Sequence, residues 1–237
     1  MAIQEEIVVA VARQTIPGTR RHTQTIVFEL ANSVRERDII TYEHSRRVAV
    51  YSYRLSRQLG LSRRAGRDIA LAGLVHDLGK TWIHNAVLHK ETALSMDERA
   101  TMSAHPRIGA RFLEIYGAPE DLVEIVLHHH EAFDGSGYPD GLSGEAIPYG
   151  ARIVTVADVF DVLTSDRPYK RAMDVRTARE RIASGTGSHF DPVIVAAFLD
   201  LLDVTPEFCL PPRVCALPVR NVPAPAQAQH LDDFAAE

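Results

Sequence analysis

The sequence predicts an all-α fold, a helical bundle interrupted by one short irregular loop. Apolar residues recur at helical spacing in nearly every segment, as Ile26, Leu30 and Val34 do. Helix-start signals recur as well. Ser95 with Glu98 three residues later is a capping box, and prolines stand where helices should open.

Several of the predicted helices have a start or stop signal of their own. Gly60 and Gly79 interrupt helical patterns. Pro119 precedes Glu120 and Asp121, which suit the positive end of a helix dipole. The predicted helices are, in order, residues 22–36, about 41–59, about 62–77, one from Ser95, one from Pro106, one from Pro119, then 148–164, 175–184 and 192–202.

The composition indicates one domain with two extensions. The chain has 237 residues, 46% of them apolar, which suffices for a sizeable core. Prolines and alanines accumulate towards the C-terminus, where an irregular tail is expected. We therefore predict an N-terminal extension at residues 1–20, a catalytic domain at 21–205 and a Pro/Ala-rich tail at 206–237.

Charge and cysteine content exclude several classes of partner. The net charge of −5 argues against a nucleic-acid polymer. No apolar run approaches the roughly 18 residues that a membrane span needs. Cys209 and Cys215 make no disulfide framework, and no basic stretch opens the chain as in a signal peptide. A cytoplasmic protein without a membrane partner is the simplest expectation.

Histidines and aspartates in separate stretches suggest one metal site. Mixed nitrogen and oxygen donors suit Fe, Mn, Zn, Ni or Co better than Ca or Mg. Two such ions close together activate a water and clamp a phosphodiester, so a phosphoester hydrolase is expected. Any one of these histidines could instead be an ordinary core or surface residue. The candidate ligands are His44, His76, Asp77, His105, His129, His130 and Asp158.

Two of these residues stand within apolar patterns. His129 continues the stripe of Leu122, Ile125 and Val126, where an imidazole needs a partner. A hydrogen-bonded core histidine is the alternative. Asp158 interrupts a long apolar run, and a buried carboxylate requires a metal or a basic partner. His128 should point to another face and is interpreted as a non-ligand.

Residues 134–141 form the predicted loop, with three glycines and a proline. Tyr138 stands between Gly137 and Pro139, which suggests a placed side chain, although a turn with a capping tyrosine is the alternative. Arg167 and Lys170 follow the helix predicted at 148–164. They either hold phosphates or are solvated.

The motif His76-Asp77-Leu78-Gly79-Lys80, together with Gly137-Tyr138-Pro139, resembles the HD-GYP domain, a bacterial subgroup of the HD phosphohydrolases. The resemblance covers about residues 21–203 and extends to Ala157-Asp-Val-Phe-Asp161 and Asp166-Arg-Pro-Tyr-Lys170. The family fold is an all-helical bundle. Its members hydrolyse the bacterial second messenger cyclic di-GMP to pGpG and often to GMP, so the resemblance implies a cyclic di-GMP phosphodiesterase.

The resemblance also implies two divalent ions, with Fe or Mn favoured and Ni, Co or Zn compatible. One ion would be held by His44, His76 and Asp158. The other would be held by His105, His129 and His130, and Asp77 would bridge the two. Lys80 would contact the scissile phosphate, Arg167 and Lys170 the other phosphate, and Tyr138 would lie near the ligand.

Two departures from the family pattern matter. Some members bind a third ion through a Glu one turn before His44, but Ile40 stands there, so two ions are expected. Family members often carry a sensor or receiver domain, whereas little chain precedes His44. We expect a stand-alone catalytic domain, regulated by a protein partner, by self-association or by expression.

Two alternatives to the leading function stay open at this point. The chain could be a non-catalytic module that binds cyclic di-GMP and signals through protein contacts. It could also be an HD phosphohydrolase for another cyclic dinucleotide or nucleotide. Retention of all seven expected ligands favours catalysis.

Overall fold

The computed structural model describes residues 19–166 and 171–204, with side chains described from residue 23. Arg167 and Lys170 lie outside these ranges. So do Cys209, Cys215 and the whole predicted tail. The domain boundaries proposed from the sequence therefore stay predictions.

The described residues form α-helices joined by turns and loops and contain no β-strand, which confirms the all-α prediction. Among the described helices, none is long and apolar enough to cross a lipid bilayer. The α-helices are α1 (Thr19–Arg37), α2 (Ile39–Gln58), α3 (Arg63–Val75), α4 (Asn85–Leu88), α5 (Met96–Ser103), α6 (His105–Ile115), α7 (Glu120–His128), α8 (Tyr149–Thr164), α9 (Val175–Ser184) and α10 (Pro192–Val204). Two 3₁₀ turns span Leu78–Trp82 and Gly144–Ala146.

Several helix ends differ from the predictions. Helix α2 begins at Ile39, earlier than expected, because the Asp38 carboxylate accepts hydrogen bonds from the backbone N–H groups of Ile40 and Thr41. Helix α3 stops at Val75 instead of continuing through Asp77, whose φ of −93° and ψ of 9° lead into the 3₁₀ turn. The chain thus turns at the predicted metal ligands.

Helix α8 lies at the centre of the core and packs against α2, α3, α7, α9 and α10. It is buried on nearly all sides, as its apolar sequence predicts. The Phe160 ring lies 5.5 Å from that of Tyr51 and 5.0 Å from that of Phe198. Each such fully buried side chain stabilises the fold by about 1.5–3 kcal/mol. This packing fixes the position of Asp158 and Asp161 on the same helix.

The first 3₁₀ turn packs directly against the start of α6. A side chain at Gly79 would overlap the carbonyl oxygen of His105, and its Cβ would lie 2.8 Å from the backbone nitrogen of Gly109. Only glycine permits so close an approach of two backbones. The contact sets the distance between Asp77, at the start of the turn, and His105, at the start of α6.

Candidate metal centre

The structure brings the seven predicted ligand side chains to one place, and all except His130 are buried. They come from α2, α6 and α8 and from the ends of α3 and α7. Neighbouring imidazole rings are in contact. The distance between ring centroids is 5.2 Å for His44 and His76, 5.0 Å for His76 and His129, and 5.0 Å for His105 and His130.

Asp77 lies between two groups of histidines. Its Oδ1 is 3.2 Å from Nε2 of His105. Its Oδ2 is 3.4 Å from Nε2 of His76 and 3.7 Å from Nε2 of His44. Each oxygen thus faces a different group, which is the arrangement that a bridging carboxylate requires.

The groups that could hold a metal ion correspond to the two expected halves. Asp77, His105, His129 and His130 form one such group. His44, His76 and Asp77 form the other. Asp158 belongs to neither by mutual distance.

Asp158 nevertheless lies beside the His44 group. Its Oδ1 is 3.0 Å from Nε2 of His44 and 3.9 Å from Nε2 of His76. It therefore remains a candidate ligand on that side.

Three of the histidines are oriented by backbone carbonyl groups. Nδ1 of His76, His105 and His129 lies 2.8, 2.7 and 2.7 Å from the carbonyl oxygen three residues earlier. A neutral imidazole that donates from Nδ1 carries a lone pair on Nε2. This is how metal-binding histidines are usually held.

The free nitrogens of these histidines point into the centre. Their Nε2 atoms are buried and, among the described residues, have no hydrogen-bond partner. The same holds for one oxygen each of Asp77 and Asp158. Leaving a polar atom buried without a partner costs about 1–3 kcal/mol. Unpartnered nitrogen and oxygen donors that converge in this way fit bound divalent cations.

His44 is held differently, between two carboxylates of α8. Its Nε2 faces Asp158, and its Nδ1 lies 2.7 Å from Oδ2 of Asp161. Burial lowers the pKa of His44, but the carboxylates of Asp158 and Asp161 beside its two ring nitrogens outweigh this effect and raise the pKa to about 9. A metal ion that binds His44 would displace this proton, since a ligating imidazole must be neutral.

Asp161 is a site residue to which the sequence analysis assigned no role. It is fully buried and accepts hydrogen bonds from Nε and Nη2 of Arg47 at 2.6 and 2.9 Å. A signal existed: Asp161 follows Asp158 by three residues, and Arg47 follows His44 by three. Each pair shares a helix face.

Asp77, His129 and His130 carry the charge states that metal binding needs. Burial disfavours ionisation of Asp77, but His76 and Lys80 hold its pKa well below the usual value. Burial lowers the pKa of His130 to about 3, although Asp158 acts in the opposite direction. The pKa of His129 is also well below its usual value, mainly because of burial. The carboxylate is thus ionised and both imidazoles are neutral.

Lys80 stands at the open side of the centre. Its Nζ lies 2.7 Å from Oδ2 of Asp77, and about a quarter of the side chain, 23%, is exposed. The ammonium group can therefore reach both the buried carboxylate and a bound anion.

Tyr138 packs against His130 at the edge of the centre. Its ring is tilted by 32° against that of His130, with centroids 4.9 Å apart. Its backbone N–H donates to the carbonyl oxygen of His130 at 3.2 Å. A side chain at Gly137 would overlap the backbone nitrogen of Ala132. The loop is thus folded tightly onto the residues that follow α7.

His128 makes its side-chain contacts outside the candidate groups of the centre. Its Nε2 lies 3.1 Å from Oδ2 of Asp140. Ile40 lies near the start of α2, one turn before His44, and is 53% exposed. Because it is an isoleucine, this position offers no carboxylate.

A protein-family model matches the part of the chain that carries this site. The family model described as "HD domain" matches residues 30–194. This range contains all seven candidate ligands.

Several curated proteins are similar in sequence. The cyclic di-GMP phosphodiesterase response regulator RpfG of Xanthomonas campestris is 44% identical over 174 residues, which cover 72% of this chain and 46% of the relative. A cyclic di-GMP phosphodiesterase of Thermotoga maritima is 39% identical, over 74% and 48% of the two chains. The 3'3'-cGAMP-specific phosphodiesterase 2 of Vibrio cholerae is 38% identical, over 78% and 36%. This chain spans less than half the length of each.

Two solved structures share the fold. A protein of Bdellovibrio bacteriovorus described as an HDG"Y"P protein superposes with a TM-score of 0.58 at 18% identity, covering 84% of this chain and 78% of that one. A cyclic GMP-AMP specific phosphodiesterase of Vibrio cholerae has a TM-score of 0.55 at 22% identity, covering 79% and 49%. At these identities the likeness concerns the helical fold alone.

Proposed function

The chain belongs to the HD domain family, and from this premise we propose that it is a metal-dependent phosphodiesterase that hydrolyses the bacterial second messenger cyclic di-GMP. The match of the family model to residues 30–194 confirms the family recognised from the sequence motifs. One observation carries the proposal: Asp77 turns one carboxylate oxygen towards His105 and the other towards His44 and His76.

Two divalent ions fit the donors of this site. His44, His76 and Asp158 would hold one ion, and Asp77 would be shared. His105, His129 and His130 would hold the other. When bound, such ions supply an activated water and stabilise negative charge on the phosphoryl oxygens. Iron or manganese suits this set of imidazole and carboxylate donors, and Ni, Co or Zn is compatible with it.

The side chains around the ligands would orient the substrate. Lys80, at the open side, would donate to the scissile phosphate and neutralise charge that develops there. Tyr138 would contact the nucleotide beside His130. Arg167 and Lys170 would hold the second phosphate of a cyclic dinucleotide, a role that only the sequence resemblance supports.

A cyclic dinucleotide is the favoured class of substrate. It has a second phosphate, which Arg167 and Lys170 are expected to hold. A mononucleotide would not need this pair of basic side chains. The relatives favour cyclic di-GMP, since the proteins of Xanthomonas and Thermotoga bear that name. One observation favours a second candidate, 3'3'-cGAMP, because a Vibrio relative of nearly the same identity is named for it.

Chromatography of reaction products tests the proposal. The full chain would be purified without oxygen, loaded in turn with Fe, Mn or Ni, and incubated with cyclic di-GMP or with 3'3'-cGAMP. Appearance of pGpG or GMP from cyclic di-GMP supports the proposal and identifies the product. Faster turnover of 3'3'-cGAMP would transfer the proposal to that substrate.

Tight binding of cyclic di-GMP without hydrolysis, under every metal, would instead favour a non-catalytic signalling module. A regulatory protein partner or self-association stays a prediction from the sequence.

A further inference from the structure

A second cluster of potential metal ligands lies outside the dinuclear centre. His128, Glu131 and Asp140 each offer one ligand atom, and these atoms lie within 4.8 Å of one another. His128 ends α7, Glu131 follows it, and Asp140 comes from the loop that carries Tyr138. The expected roles of the site residues do not involve this cluster.

His128 is oriented like the histidines of the dinuclear centre. Its Nδ1 lies 3.0 Å from the carbonyl oxygen of Glu124, an acceptor to which only an N–H can donate. A neutral ring held in this way has its lone pair on Nε2. That Nε2 lies 3.1 Å from Oδ2 of Asp140, which is also an acceptor. Either a second proton on the ring or a metal cation must therefore lie between Nε2 and Oδ2.

Glu131 adds a buried donor without a partner. The residue is only 2% exposed. Its Oε1 accepts the backbone N–H of Asp140 at 2.7 Å, which holds the carboxylate against the loop. Its Oε2 is buried and has no hydrogen-bond partner in the part of the chain that the structure describes. A buried carboxylate oxygen without a partner needs a hydrogen-bond donor or a cation beside it.

The surrounding charges leave room for a divalent cation. Asp140, Glu131 and the nearby Glu124, whose Oε2 lies 3.3 Å from Nδ1 of His128, are three carboxylates around one ring. Arg107 offsets only one of them, through its contact of 2.5 Å with Oδ1 of Asp140. The other oxygen of Asp140, Oδ2, is the one that faces His128.

We propose that His128, Glu131 and Asp140 bind one further divalent cation, separate from the dinuclear centre. One imidazole nitrogen and two carboxylates suit Zn²⁺, Mn²⁺ or Co²⁺, with water in the remaining positions. The site differs from the third-ion position at which Ile40 stands. Its cation ties the end of α7 to the loop and thereby holds Tyr138 against His130.

Counting zinc ions in matched variants tests the proposal. The full chain would be stripped with a chelator, reloaded with Zn²⁺ and passed through gel filtration, and zinc per chain would be measured by mass spectrometry. Asp140→Asn and His128→Gln each remove one ligand of the cluster. Asp97→Asn is the control, since Asp97 is an exposed acidic residue of α5. Circular dichroism checks that each variant is folded.

The proposal predicts one zinc fewer per chain in both Asp140→Asn and His128→Gln than in the wild type and in Asp97→Asn. When either change is combined with Asp77→Ala, the two losses should add, because the sites are independent. An unchanged count in a folded variant would overturn the proposal and identify the contact between His128 and Asp140 as an ion pair. Loss of all bound zinc in folded variants would also overturn it, since the cluster would then support the dinuclear centre only. Because zinc is counted without measuring turnover, failure of the proposed phosphodiesterase activity leaves this test intact.

Discussion

The Oδ2 atom of Asp161 lies 2.7 Å from Nδ1 of His44, and Arg47 holds the same carboxylate with two hydrogen bonds. Asp161 therefore fixes the ring of the only candidate ligand that α2 supplies. Outer residues of this kind orient a metal ligand and increase its basicity.

Replacing Asp161 should weaken metal binding without removing a ligand. Asp161→Asn keeps the shape of the side chain but loses the charge that pairs with Arg47. We expect metal affinity to fall by about 10- to 100-fold. Titration of the metal-free chain with Mn²⁺ measures it, with Asp97→Asn as control. Unchanged affinity would show that Arg47 or the packing of α2 orients His44 by itself.

Gly79 should tolerate no side chain. In Gly79→Ala the added methyl group would overlap the carbonyl oxygen of His105 and push the 3₁₀ turn away from α6. We expect a loss of about 1–3 kcal/mol in the free energy of unfolding. Metal should be lost as well, because Asp77 and His105 separate.

A matched glycine variant controls for this prediction. At Gly66 a Cβ would lie 3.3 Å from the ring of Tyr53, which can shift. Gly66→Ala in the helix α3 should be close to neutral in urea unfolding. Equal losses of unfolding free energy in the two variants would mean that the close approach of the turn to α6 is not critical for stability.

Lys80 should act on turnover more than on metal content. Lys80→Ala removes the ammonium group at the open side of the centre but no metal ligand. We expect kcat to fall by roughly 100- to 1000-fold, as when a group that stabilises transition-state charge is removed. Lys90→Ala, which breaks the ion pair of Lys90 with Glu98, is the control. A drop in bound metal that equals the drop in kcat would assign Lys80 to holding Asp77.

Arg167 should contribute to substrate binding only. If it holds the second phosphate, Arg167→Ala should raise KM by roughly 10- to 100-fold, the value of a hydrogen bond between charged groups. Metal content should not change. The exposed Arg176, paired with Glu180, provides the control variant Arg176→Ala. Equal losses of metal and of affinity would indicate that Arg167 supports the fold instead.

The helical fold could be predicted, and the candidate ligands could be proposed, because both depend on local sequence patterns. His76 and Asp77 are adjacent, His129 and His130 are adjacent, and each stands beside a clear helical stripe. Asp158 was recognisable as a carboxylate in an apolar run.

Relationships across the chain could not be predicted in the same way. The contact of Asp161 with His44 depends on how α2 packs against α8. The contact of His128 with Asp140 depends on the course of the loop after α7. The turn at Asp77 depends on the approach of Gly79 to α6, whereas the helical pattern alone extended α3 too far.

Metal content and turnover of Asp77→Ala test the central claim most directly. The carboxylate of Asp77 faces both groups of histidines. Asp77→Ala should therefore lose two ions per chain relative to the wild type and should not hydrolyse cyclic di-GMP. A variant that keeps the wild-type number of ions and normal turnover would contradict the dinuclear centre and the function built on it.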